Sequence, residues 1–457
     1  MAMALTLLGS GLLVGCEIAE PYIAPVFVFG AGYDAQRTGA PVLFDNAAWW
    51  RGLDDPTLML LVDLALRDSI DLEIARERVI SARESRDTVP GAAILSPSAR
   101  TGVSGTNTGD VTTLGIVDVG LSWLLDPYGL RREQLRVADA RIDIADAEMD
   151  GARLLVVLNI SNAYVQLRYD QRVLGLAQTE LHSRQDTLDL TRTLARAESA
   201  TRLEIARSEA RVAEIRSRLP EREAAIEADL AEIAVLAGLA PGALPADLAA
   251  ALLQDSGQPL PSMSPDVGIP ADLLRNRPDI RVAERSYYVA VSEIGIARAE
   301  LYPRLSLSGT ITLSAIGDNA SGTEYFFGPV VEFPALPLDG TRAAINVQQS
   351  EARQAHATWR STVLSSILEV ETALLRYDGT ALSLRSAGEA VRLYREALDL
   401  TRAVFERDEA TLGDLIDAEQ AVATAQQTLA DLKLQYALRF IALNVSLGAG
   451  TPTPAAQ

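Results

Sequence analysis

Leu305-Ser306-Leu307-Ser308-Gly309-Thr310-Ile311-Thr312-Leu313 is the stretch on which the fold turns. Leu305, Leu307, Ile311 and Leu313 are apolar, and Ser306, Ser308, Thr310 and Thr312 between them are polar. A period of two puts the two sets on opposite faces of an extended strand. The same rhythm runs through Val117, Val119, Leu121 and Trp123 against Asp118, Gly120 and Ser122, and through Tyr325, Phe327, Val331 and Phe333 against Gly328, Val330 and Glu332. A fourth, weaker strand is expected near Ser98 to Thr108. Alternation over about ten residues is the pattern of a transmembrane barrel wall, apolar toward lipid and polar toward a lumen. The expected lumen-facing residues are Asp118, Ser306, Ser308, Thr310 and Glu332. A soluble hairpin half-buried on a helix would show the same period, so the surroundings decide.

Four strands cannot close a membrane barrel, because about eight is the lower limit and lipid tolerates no open edge. Several chains must contribute. Two copies would give about eight strands and an interior filled by side chains, and three would give about twelve. A conduit prefers the trimer.

Outward from the strands the pattern becomes helical. From Gly129 to Arg196 there is no proline, apolar residues recur at three and four, and the remaining faces are Arg, Asp, Glu and Gln. Thr341 to Arg407 repeats this, and an uninterrupted helix of that length spans on the order of 100 Å. Alanines along the stripes, among them Ala138, Ala145, Ala152, Ala344, Ala352 and Ala355, suit closely approaching helices.

The chain also repeats itself. Asp71-Leu72-Glu73-Ile74-Ala75 returns as Asp279-Ile280-Arg281-Val282-Ala283, and Gly129 as Gly340. Pro97 and Pro303 are each expected to precede a polar strand. Ala200-Thr201, Glu209, Val212-Ala213, Val235 and Gly238 return 210 residues later as Ala410-Thr411, Glu419, Val422-Ala423, Val445 and Gly448. The expected organisation is a signal peptide (1–15), a lipidated N-terminal segment (16–53), a first repeat (54–238), a proline-rich connection (239–269), a second repeat (270–447) and a disordered tail (448–457). Each repeat reads as a helix of about thirty residues, two strands and a very long helical hairpin.

Composition excludes other classes. Forty-one basic against 61 acidic residues give a net charge of −20, which argues against nucleic acid as a partner. The two histidines, His182 and His356, are isolated in helical stretches, so no metal cluster and no histidine-based triad is indicated; no glycine loop cradles a phosphate. Neither a cofactor nor an enzymatic activity is expected. The single cysteine, Cys16, follows Leu13-Val14-Gly15 behind a short apolar run, the context of a bacterial lipobox whose thiol is acylated after cleavage.

Four motifs carry a resemblance across nearly the whole chain: Trp49-Trp50 followed by Asp55-Pro56-Thr57-Leu58; Trp123, Asp126 and Tyr128-Gly129; Asp417-Ala418; and Ile269-Pro270-Ala271-Asp272-Leu273-Leu274-Arg275-Asn276-Arg277-Pro278-Asp279-Ile280 with Ala283-Glu284-Arg285 and Tyr302-Pro303. The sequence resembles the TolC-like outer-membrane factors of tripartite efflux systems, in the lipoprotein branch that serves RND pumps. The resemblance implies a membrane α+β fold: a homotrimer whose twelve-stranded β-barrel, four strands per chain, lies in the outer membrane and continues as a long α-helical barrel in the periplasm. It implies passive conduction of small molecules or ions, received from an RND-type inner-membrane pump through a periplasmic adaptor. It further implies that the hairpin tips, Glu198, Ser199, Ala200 and Thr201 in one repeat and Asp408, Ala410, Thr411, Leu412 and Gly413 in the other, meet the adaptor. Glu198 and Asp408 stand where the family has glycine, which a left-handed turn favours. By the same resemblance Asp414, Asp417 and Glu204 line a constricted aperture and form the rings and inter-helix links that hold the channel closed; three chains would bring nine carboxylates together there, and that crowding of like charge would raise some carboxylate pKa values. The alternatives are a type I secretion channel, against which Cys16 and Leu273-Leu274-Arg275 weigh, and a periplasmic coiled-coil lipoprotein scaffold without a pore.

Overall fold

The computed structural model describes residues 21–35, 47–105, 107, 111–198, 200–254, 256–262, 267–316, 320–407 and 409–450. The expected signal peptide, Cys16, Ser199, Asp408 and the chain after residue 450 lie outside these. The elements are α1 (Pro56–Asp68), α2 (Ile70–Asp87), β1 (Ala93–Gly105), β2 (Val111–Leu125), α3 (Leu130–Arg196), α4 (Arg202–Leu236), α5 (Ala246–Leu253), α6 (Leu273–Asn276), α7 (Pro278–Ala299), β3 (Arg304–Ile316), β4 (Ala320–Glu332), α8 (Asp339–Phe405) and α9 (Leu412–Ser446). The hairpin helices have identical lengths in the two halves, 67 residues for α3 and α8 and 35 for α4 and α9. No helix among the described residues is long and apolar enough to cross a membrane.

The chain divides into two units. The first holds the described residues of Met1–Phe27, Glu77–Ala147 and Arg281–Thr362. Its sheet is antiparallel throughout, in the order β1-β2-β3-β4. The register sets Ser98 opposite Asp118, Asp118 opposite Thr312, and Arg304 opposite Glu332. Asp118, Ser306, Ser308, Thr310 and Glu332 therefore share one face, where Asp118 accepts from the Thr312 hydroxyl at 2.7 Å and lies 3.8 Å from Arg100. The other face carries Val117, Val119, Leu121, Trp123, Leu307, Ile311, Leu313, Tyr325 and Phe327, all exposed, with Tyr325 at 78%. An apolar face left open while the polar face makes hydrogen bonds is what a lipid-facing wall requires. Phe327 lies over Gly309, where a Cβ would come within 2.4 Å of its ring.

Two expectations for this unit shift. The first strand begins at Ala93 rather than near Ser98, and Pro97 lies inside it, opposite Val119, instead of before it. An outer strand tolerates a proline whose nitrogen faces away from its neighbour. Gly340 lies in the first turn of α8, whereas Gly129 precedes α3 at a φ of 77°.

The second unit holds the described residues of Val28–Arg76, Glu148–Ile280 and Val363–Gln457. Here the single first helix expected in each repeat is broken, at Ser69 between α1 and α2 and at Arg277 between α6 and α7, both in extended conformation. Pro278 enforces the second break, since the residue before a proline is driven out of the helical region. Each break is also pressed by the glycine that ends a hairpin. A Cβ at Gly238 would lie 2.1 Å from the Asp68 carbonyl oxygen and one at Gly448 would lie 2.5 Å from that of Asn276, and both glycines have positive φ. The eight-residue α5 lies within the proline-rich connection. Gly448, Ala449 and Gly450 are buried rather than part of a disordered tail, because a Cβ at Gly450 would already touch Trp49 and Trp50 at about 3.4 Å.

The long motif is a clasp. Asp272 accepts from the Ile269 N–H, and the buried Arg277 guanidinium reaches Asp279, the Ser446 carbonyl and Glu369 at 2.7–2.8 Å. Asp55 caps α1 and accepts from the Tyr164 hydroxyl at 2.6 Å.

Candidate aperture and hairpin tips

Both long hairpins reverse over a few residues, and each returning helix starts with the same device. The Thr201 N–H donates to Glu204 at 2.6 Å while the Glu204 N–H donates to the Thr201 hydroxyl at 3.3 Å; Thr411 and Asp414 repeat the exchange at 2.8 and 3.2 Å. Such a capping box satisfies donors that a helix start leaves free. It also fixes the carboxylates. The Thr201 backbone and hydroxyl hold Glu204 below the usual carboxylate range, and the Thr411 hydroxyl and backbone do the same for Asp414. Within one chain, hydrogen bonds to the charged form therefore move both carboxylates down, opposite in sign to the rise expected from crowding between chains. Asp414 and Asp417 are exposed and lie three apart in the first turns of α9.

At the first turn Glu198 has a φ of 57°, the left-handed conformation that a glycine would adopt without cost. Ala200, Glu204, Ala410, Thr411 and Leu412, expected at the tips and aperture, line one cavity of about 800 Å³ together with Glu419. Glu198, Asp414 and Asp417 are not part of that lining.

Glu419 was legible only as a repeat position, and its environment exceeds that reading. Its carboxylate accepts from Arg184 at 3.0 Å, from Ser183 at 3.0 Å, from Thr187 at 3.3 Å and from Arg402 at 3.4 Å. The Arg184 and Glu419 side chains are only 3% and 6% exposed. Arg184 also donates to the Ile416 carbonyl and to Gln420. One buried carboxylate on α9 thereby ties α3, α8 and α9 just above the tips.

A family model described as outer membrane efflux protein matches residues 61–239 and again 269–449. The chain belongs to the outer membrane efflux protein family. It is 33% identical over 462 residues to nodulation protein T of Rhizobium leguminosarum bv. viciae, covering 99% of this chain and 94% of that one. It is 27% identical to the pyoverdine export outer membrane protein OpmQ of Pseudomonas aeruginosa, covering 89% and 88%. Among solved structures, the outer-membrane channel OprN superposes with a TM-score of 0.86 at 28% identity, covering 96% of this chain and all of that one. The open-state MtrE channel of Neisseria gonorrhoeae shares the fold, with a TM-score of 0.84 at 22% identity over 97% of this chain and all of that one. The protein is an outer-membrane channel component of an efflux system. Its four strands are one third of a trimeric barrel that continues into the periplasm as helices, in a family of channels rather than enzymes.

Proposed function

We propose that this chain, anchored by acylation of Cys16, forms a passive trimeric conduit fed by an RND-type inner-membrane pump through a periplasmic adaptor. The observation that carries the gating part of this reading is the buried Arg184–Glu419 pair beside the tip cavity. An ion pair held out of water is costly to break on one side, so it favours one arrangement of the hairpins over its alternatives. Asp414, Asp417 and Glu204 add negative charge near the mouth, which favours cations over anions. Relatives are named for export of pyoverdine, solvent, cations and antibiotics. Such variety supports an unselective conduit whose choice of cargo is made upstream.

Single-channel conductance of the purified trimer in planar bilayers tests this reading. Currents that grow but lose cation selectivity in Asp414→Ala/Asp417→Ala support an acidic mouth that both constricts the passage and attracts cations, and currents unchanged in size and selectivity in that variant remove it. The tips are proposed to meet the adaptor, with Glu198 and Asp408 altering its choice. Glycine at both positions is expected to change which candidate adaptors are pulled down, and an unchanged preference would overturn that assignment.

A further inference from the structure

The sheet's own register points to a property of its two free edges. The Leu124 N–H donates to the Ala92 carbonyl at 2.7 Å, in the same register that pairs Ala93 with Trp123. Ala92 and Leu124 are therefore a hydrogen-bonded pair, and bonded pairs recur at every second residue along an antiparallel ladder. On β1 the even residues face β2, and the odd residues, Pro97 among them, direct their backbone groups away from it. The same alternation carries across the sheet. Odd residues of β2 bond to odd residues of β3, even residues of β3 bond to even residues of β4, and odd residues of β4 face outward. Pro329 is one of these.

Each outer strand thus carries a proline, and each proline sits at a position whose absent N–H would have pointed out of the sheet. A single bond at one edge accounts for the placement of the proline at the other. Neither residue weakens the ladders within the chain.

We propose that Pro97 and Pro329 lower the pairing capacity of the two edges that meet between copies of this chain, making that seam poorer in hydrogen bonds than any seam within a copy. The inference rests on the trimeric barrel reading, in which β1 of one copy pairs with β4 of the next. Two donors are missing from each such seam, and the carbonyls opposite them lie in a membrane wall where water cannot substitute. The benefit precedes assembly. An unassembled sheet with a long apolar face and two open edges is a template for indiscriminate pairing, and edge prolines blunt it. The occupant of each edge is a second copy of this chain, and the prolines select against others.

The test uses the full-length protein with Pro97→Val and Pro329→Val, singly and together, with Pro97→Ala and Pro329→Ala as variants that restore the N–H without β-branching. Trimers are followed by heat dissociation on detergent gels, and aggregation by the yield of higher oligomers during refolding. The double variants are expected to dissociate about 5 °C higher and to form at least about twofold more off-pathway oligomer. Ser98→Pro, which places a proline nitrogen against β2, is expected to abolish trimer formation, whereas Ala99→Pro, facing outward, leaves trimers that dissociate at a lower temperature. Equal loss in Ser98→Pro and Ala99→Pro, or wild-type behaviour in both double variants while the wild type itself forms trimers, overturns the inference. Absence of a heat-resistant trimer in the wild type overturns the barrel reading beneath it.

Discussion

The two long hairpins share their lengths and their starts, but they treat the same ion pair differently. In the first, Arg192 and Glu209 meet at 3.0 Å with side chains 44% and 49% exposed. In the second the equivalent residues are Arg402 and Glu419, and Glu419 is drawn inward to Arg184, Ser183 and Thr187. An exposed pair contributes about 0.2–1 kcal/mol, whereas removing one partner of a buried pair costs about 3–5 kcal/mol. Duplication supplied both hairpins with the same residues, and burial turned one copy into a clamp.

The largest expected effect follows from that contrast. Glu419→Ala leaves the buried Arg184 with the longer contact to Glu180, at 3.6 Å, as its remaining carboxylate partner, and is expected to destabilise the hairpin ends by about 3 kcal/mol, while Glu209→Ala costs less than about 1 kcal/mol. Hydrogen exchange at the amides of α3 and α9 checks this, and equal protection in the two variants would erase the distinction.

A second asymmetry lies farther along. Asp229 on α4 is buried against Asp170 on α3, with Glu232 and Arg222 also on α4, and burial followed by repulsion from Asp170 pushes its carboxyl up to about 7. The residue 210 positions later is Arg439. Because the folded-state value lies above the unfolded one, the stabilisation is complete below the unfolded value of 3.8 and is lost as pH rises through about 7. Thermal midpoints are expected to fall between about pH 4 and pH 7 in the wild type and to flatten over that range in Asp229→Asn.

Smaller effects concern the tips. Glu198→Gly removes a left-handed non-glycine residue and is expected to stabilise the first hairpin by about 1 kcal/mol, read as increased protection of the first turn of α4. Thr201→Ala and Thr411→Ala each cost about 1 kcal/mol by opening a capping box. Here the hairpins should behave alike, and a large difference would show that one tip is held by more than its cap.

Much of this was legible in the sequence because it depends on periodicity. Alternation in 305–313 and 117–123 located β3 and β2 and sorted their faces, and the absence of proline from Gly129 to Arg196 bounded α3. Boundaries set by tertiary contact were not legible. The break at Ser69 has no proline to announce it and arises where Gly238 presses on the Asp68 carbonyl. Pro97 looks like a strand breaker until the register shows its nitrogen facing outward. At the tips, spacing identified Glu204 and Asp414 as equivalents, but it could not say that both carboxylates are committed to helix caps. Nor could it find Arg184, whose link to Glu419 crosses 235 residues of sequence.

The most direct test of the clamp is single-channel conductance of the purified trimer carrying Glu419→Ala, beside Glu209→Ala and wild type. Larger or more frequent openings in Glu419→Ala alone are the expected result. Identical currents in the two variants, or no conductance from any of the three, would contradict the account.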